Sequence, residues 1–148
     1  MRGEGAGVEE TPGALAGIRI AIVEEDPLLR ESLAVFLKLR GCRVETFESA
    51  VEAGDSVLRD RFEIVISGFL LAGEDGISFL RKVREASKTV VTALFTGYRD
   101  NDFPEELRRS GIDGYIPKPF TAEELENTLI RLIGKGRSGN RTVSEVVA

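Results

Sequence analysis

A chain of 148 residues with 42% hydrophobic content is about one domain long and carries enough apolar side chains to bury a core. Its net charge of −5 argues against a general nucleic-acid binder, which would need a clustered basic face. The complete absence of histidine excludes Ser-His and Cys-His hydrolases, the usual zinc sites and any role as a phosphohistidine donor, while the single Cys42 cannot form an internal disulfide and suits a reducing cytoplasm.

Residues 1–17 are rich in Gly, Glu and Ala without periodicity and read as a flexible leader; the first five residues lack the apolar core of a signal peptide. From Ile18 the chain alternates regularly. Ile18 to Val23 is nearly all apolar, as a central parallel strand should be. Pro27 opens a helix through Arg40, with Leu29, Leu33, Phe36 and Leu37 at helical spacing and Gly41 as its stop. Arg43 to Phe47 alternates polar and apolar, an edge strand. Ser49 caps a second helix reaching about Asp60, with Val51, Val57 and Leu58 expected inward and Gly54 weakening it. Glu63 to Ser67 is a third strand, and a loop from Gly68 to Asp75 leads to a helix carrying Ile77, Phe79, Leu80 and Val83. A fourth strand, Val90 to Phe95, is followed by a polar stretch and a short helix from about Pro104, with Leu107 inward, to Gly111. Tyr115-Ile116 is a short fifth strand. Thr121 and Glu124 have capping-box spacing for a last helix whose stripe is Leu125, Leu129, Leu132 and Ile133. Residues 135–148 read as a flexible tail, leaving 18–134 as the folded domain. No apolar run approaches the ~20 residues that span a bilayer.

Five strands, each followed by a helix, predict an α/β doubly wound parallel sheet with five flanking helices, (βα)5. In such sheets function sits at the carboxyl ends of the strands, near the point where strand order reverses. The residues there are Glu24-Glu25-Asp26 after the first strand, Gly68 after the third, Thr96-Gly97 after the fourth and Lys118-Pro119-Phe120 after the fifth.

Taken with Ile22-Val23 before the acidic cluster, the loop Gly73-Glu74-Asp75-Gly76 and the run Gly114 to Phe120, this set resembles a bacterial response-regulator receiver domain of two-component signalling, over about Ile18 to Ile133. The resemblance implies a flavodoxin-like fold and a cytoplasmic phosphorelay module. Such a module moves a phosphoryl group from a sensor kinase's phosphohistidine onto an aspartate, with magnesium held by an acidic pair. It implies that Lys118 contacts a phosphoryl oxygen as a point charge, that Thr96 is the switch hydroxyl and Tyr115 the switch aromatic, and that Glu24 and Glu25 stand for the acidic pair. A cis bond before Pro119 would fit the family. Gly68 falls where the phosphoaccepting aspartate belongs, and Ala72 replaces a proline common four residues later.

Without that carboxylate no oxygen nucleophile remains at the position, so ordinary acyl-phosphate formation is lost. The metal site is reduced to Glu24 and Glu25; no cofactor is expected, and any magnesium would bind weakly. Lys118 is left to pair with Glu24 or Glu25. The expected protein is therefore a degenerate receiver, not an enzyme, acting through phosphorylation-independent protein–protein interaction with a sensor kinase or output protein. Thr96, Tyr115 and Phe120 mark its interaction face, and a homodimer could form through the fourth helix, fifth strand and fifth helix. Neither nucleic acid nor membrane is expected as a partner. Two other readings stay open: a phosphorelay receiver with a non-standard acceptor such as Ser67, and a pseudo-receiver that binds a small ligand in the vacated pocket. Ser67 would normally aim away from that pocket, because consecutive strand residues point to opposite faces. Each signal also has a plainer reading: Glu24 and Glu25 as a solvated acidic turn, Thr96 as a loop cap, Tyr115 and Phe120 as packing.

Overall fold

Strands that are apolar on both faces belong in the middle of a parallel sheet covered by helices, and the computed structural model, which describes residues 13–98 and 103–137, puts them there. In chain order the elements are β1 (Arg19–Val23), α1 (Pro27–Leu39), β2 (Arg43–Phe47), α2 (Ala50–Arg59), β3 (Ile64–Ser67), β4 (Leu70–Leu71), β5 (Glu74–Asp75), α3 (Gly76–Ala86), β6 (Val91–Thr96), α4 (Glu105–Arg108), β7 (Gly114–Pro117) and α5 (Ala122–Arg137). The main sheet has five parallel strands in the order β2-β1-β3-β6-β7. The fold is thus the flavodoxin-like one expected from the alternation. Chain order reverses at β1, which lies between β2 and β3, so the ends of β1 and β3 form the switch point.

Each face of the sheet has its own core. Ile20, Ile22, Ile64, Ile66 and Phe95 pack with Leu33 and Leu37 of α1 and Leu125 and Leu129 of α5. Ala21, Val23, Val65 and Leu94 pack with Val57 of α2, with Phe79, Leu80 and Val83 of α3, and with Leu107 of α4. The helices begin where the sequence caps them. Asp26 accepts from the Leu28 amide at 3.0 Å ahead of Pro27, Ser49 accepts from Glu52 N–H at 3.0 Å, and Thr121 and Glu124 complete a reciprocal capping box at 2.9 and 3.0 Å.

Several expectations need correction. Val51 and Leu58 are exposed, not inward; the face turned to the sheet is Ala50, Ala53 and Val57, whose side chains pack with Ala21, Val23 and Phe47. The segment after β3 is not a plain loop, because Leu70–Leu71 pairs antiparallel with Glu74–Asp75 across Gly73, whose φ of +87° suits a residue without a Cβ. Leu15, placed in the leader by composition, is buried against Ile18 and Cys42, and Gly17 N–H donates to Gly41 C=O. α5 continues through Gly134 to Arg137, while α4 stops at Arg108, short of Gly111. The rest of the expected leader, 1–12, and of the expected tail, 138–148, lie outside the described residues, as does 99–102 of the polar stretch.

Candidate functional site

Parallel register lines up the carboxyl ends of four strands: Val23 pairs with Ser67, Ser67 with Leu94, and Thr96 with Pro117. The residues that follow converge on a cavity of about 430 Å³ lined by Glu24, Glu25, Asp26, Gly68, Thr96 and Lys118, with Phe69, Leu70, Phe95 and Gly97. All five pocket residues singled out in the sequence are therefore brought together.

Glu24 is the most constrained of them. Its N–H donates to Phe47 C=O at 3.0 Å, and its carbonyl accepts from Arg30 Nη1 at 2.8 Å. Its side chain is buried, with Oε2 accepting from Asp26 N–H at 3.0 Å and Oε1 3.7 Å from Lys118 Nζ. That ion pair is too long to be a hydrogen bond, and Oε1, wholly shielded from solvent, has no hydrogen-bond partner. The same oxygen lies over Gly68: a Cβ on Gly68 would sit 2.9 Å from it. Glu25, by contrast, is exposed, and its carbonyl accepts from Arg30 Nη1 at 3.3 Å. Two residues expected to act as a pair thus have different surroundings.

Gly68 is held by its N–H to Val23 C=O at 2.8 Å, and its carbonyl accepts from Ser67 Oγ at 2.8 Å. Ser67 is fully buried in that bond and is not part of the cavity wall, as strand alternation anticipates. Thr96 is buried, accepts from Tyr98 N–H at 3.1 Å through Oγ1, and receives Lys118 N–H on its carbonyl at 2.7 Å. Lys118 precedes a cis bond to Pro119, and its ammonium lies 5.4 Å from the Phe95 ring centroid. Phe120 stacks on that ring at 5.5 Å.

Tyr115 stands apart from the cavity. Its hydroxyl shares a hydrogen bond with Ser110 Oγ at 2.9 Å and donates to Leu107 C=O, and Phe103 meets its ring edge-on at 4.5 Å. Burial raises its phenol above the ordinary value; the Ser110 hydrogen bond and Arg108 oppose that rise, and Asp113 adds to it. Sequence reasoning missed Arg30, which ties both acidic carbonyls from one turn into α1, and the apolar lip of Phe69 and Leu70. The signal for Arg30 was its place four residues after the Asp26 cap, on the helix face that returns to the strand end.

Chemically, the described residues give the cavity carboxylates and one ammonium, with a bare backbone at Gly68. Among the described residues no three His, Cys, Asp or Glu side chains are grouped to hold a metal ion. With the Glu24 carboxylate turned onto Gly68 and the Asp26 amide, the residues present do not fit a magnesium ion.

Comparison with known proteins completes the picture. The family model for the response regulator receiver domain matches residues 20–130. The transcriptional activator protein PfeR of Pseudomonas aeruginosa is 32% identical over 108 residues, 73% of this chain and 35% of its own length. The response regulator MprA of Mycobacterium bovis is 31% identical over 108 residues, 73% of this chain and 47% of its own. The chain therefore spans about a third to a half of these curated relatives. Among solved structures, the chemotaxis response regulator CheY4 of Vibrio cholerae superposes with a TM-score of 0.73 at 25% identity, over 79% of this chain and 99% of that one. The receiver domain of the sensor histidine kinase PA1611 of Pseudomonas aeruginosa, solved with magnesium in its active-site cleft, gives 0.69 at 28% identity, over 80% and 99%.

Proposed function

The chain belongs to the response regulator receiver family, and we propose that it is a pseudo-receiver, a member that keeps the fold and the docking faces but has lost phosphoryl chemistry. One observation carries this. At the end of β3, facing Lys118 and Glu24, Gly68 presents backbone where an oxygen nucleophile is needed. The non-standard acceptor left open is not favoured by its surroundings: Ser67 Oγ is buried in a bond to Gly68 C=O. An anionic ligand would meet Glu24, Glu25 and Asp26 at the same cavity.

Function then rests on binding. The protein acts in a two-component pathway through contact with a sensor kinase or output protein, in the cytoplasm and with no catalytic turnover of its own. The surface built by α4, β7 and α5, with Thr96 behind it and Tyr115 and Phe120 on its strand and flank, is the proposed contact face and the place where a homodimer would form. Tyr115 is fixed by Ser110, Leu107 and Phe103, so with no acyl phosphate to bias a second state the face stays in one conformation unless a partner selects another. Incubation of the purified protein with acetyl phosphate and magnesium, followed by intact mass measurement, tests this. An unchanged mass is expected; a stably added phosphoryl group overturns it.

A further inference from the structure

Gly68 and Glu24 lie far apart in the sequence, but the structure joins them. The Glu24 carboxylate is folded inward over Gly68, its Oε1 2.9 Å from where a Cβ at position 68 would stand. It is buried, bonded through Oε2 to the Asp26 amide, and set 3.7 Å from Lys118 Nζ. Resting on the pseudo-receiver reading, we propose that Glu24 is the resident occupant of the pocket. Its longer side chain fills the space that Gly68 leaves, supplies from the first strand the negative charge that Lys118 faces, and so excludes a carboxylate at position 68.

The geometry supports a compensated pair. The unpartnered Oε1 is a buried acceptor that a protein does not leave bare without cause; here it faces Lys118, the one cation of the cavity wall among the described residues. A side chain at position 68 would push this carboxylate away, breaking its bond to Asp26 N–H and withdrawing it from Lys118. The end of a flexible side chain moves readily, so the loss is of those two contacts and not of the fold. A shorter carboxylate at position 24, by one methylene, would free the space. A side chain at position 68 therefore costs less when position 24 is shortened, and the block to phosphorylation has two parts: the missing nucleophile and the carboxylate in its place.

The test is a double-mutant cycle on the full chain with G68A, E24D and G68A/E24D, read by urea unfolding. Alanine probes space without adding charge. Residues in contact couple, so G68A is expected to shift the unfolding equilibrium at least ~3-fold more in the Glu24 protein than in the E24D background; additive effects overturn the proposal. A functional arm compares G68D with G68D/E24D in acetyl phosphate and magnesium. The introduced carboxylate oxygen would form a bond to phosphorus as the phosphorus–oxygen bond to acetate breaks, with acetate leaving. At least ~10-fold more phosphoryl-protein is expected from the double variant, and equal modification of the two, including none in either, overturns the proposal. Modification of the unaltered protein would instead sink the pseudo-receiver reading, while the stability cycle would still judge the Glu24–Gly68 pair.

Discussion

At the residue scale, single atoms decide what a position tolerates. A Cβ on Gly76 would overlap the Gly68 carbonyl oxygen, and Gly76 N–H already donates to Phe69 C=O at 2.7 Å. The start of α3 is thus pressed against the floor of the cavity, and because the obstacle is backbone it cannot swing aside. G76A should cost on the order of 2–3 kcal/mol or more, measured by urea unfolding, with shifted amide resonances at positions 68 and 69. Cys42 illustrates burial of a titratable group. Its thiol is pushed up to about 11 from an ordinary 9.0, first by burial and then by the nearby Glu126 carboxylate. A raised folded value means that the unfolded chain releases its proton first, so the contribution to stability is whole below the unfolded pKa and is lost as pH rises towards the folded one. Tyr115, also raised, acts with the same sign. The urea midpoint should therefore fall between about pH 9 and 11, and the fall should be smaller in C42A. The folded thiol should also resist a disulfide reagent at about pH 8 and react on unfolding.

At the element scale, the architecture was legible because each strand and helix carries its own signal. Continuous apolar runs marked β1, β3 and β6, and Pro27, Ser49 and Thr121-Glu124 marked helix starts that the structure reproduces. Helix phase in α2 was not legible, since Val51 and Leu58 compete with Ala50, Ala53 and Val57 for the inward stripe and only packing against the sheet decides. The hairpin of β4 and β5 was hidden because two-residue strands leave no periodicity to read. Burial of Leu15 was masked by its glycine-rich surroundings. Loss of the Thr121 cap in T121A should cost ~1 kcal/mol in unfolding experiments. A larger effect is expected at Asp113, which no sequence pattern singled out. Its Oδ2 accepts from Arg84 Nη1 at 2.7 Å and from the Thr92 amide at 2.8 Å, tying α3 and β6 to the turn before β7. D113A should destabilise by ~2–4 kcal/mol, because a partly buried guanidinium and a buried amide lose their acceptor together.

At the scale of the whole molecule, fold and chemistry part company. The sheet order, the two cores and the convergence of four strand ends follow from hydrophobic pattern and topology and not from the polar side chains at the strand ends. The composition of the pocket was legible as well: Glu24, Glu25, Gly68, Thr96 and Lys118 were picked out by position and do line one cavity. What the sequence could not show is where the Glu24 carboxylate goes, because that depends on a side-chain path fixed by the Asp26 amide and by the room above Gly68. On the proposed reading no phosphoryl group biases two states here, so that a partner would have to supply the bias. The most direct measurement is a titration of the isotopically labelled protein with magnesium and acetyl phosphate, following the amide resonances of Gly68, Thr96, Tyr115 and Lys118. The account predicts that these resonances stay in place, with no slowly reversing second set of peaks. Saturable shifts at the strand ends that spread to Tyr115 and decay on removal of acetyl phosphate would contradict it.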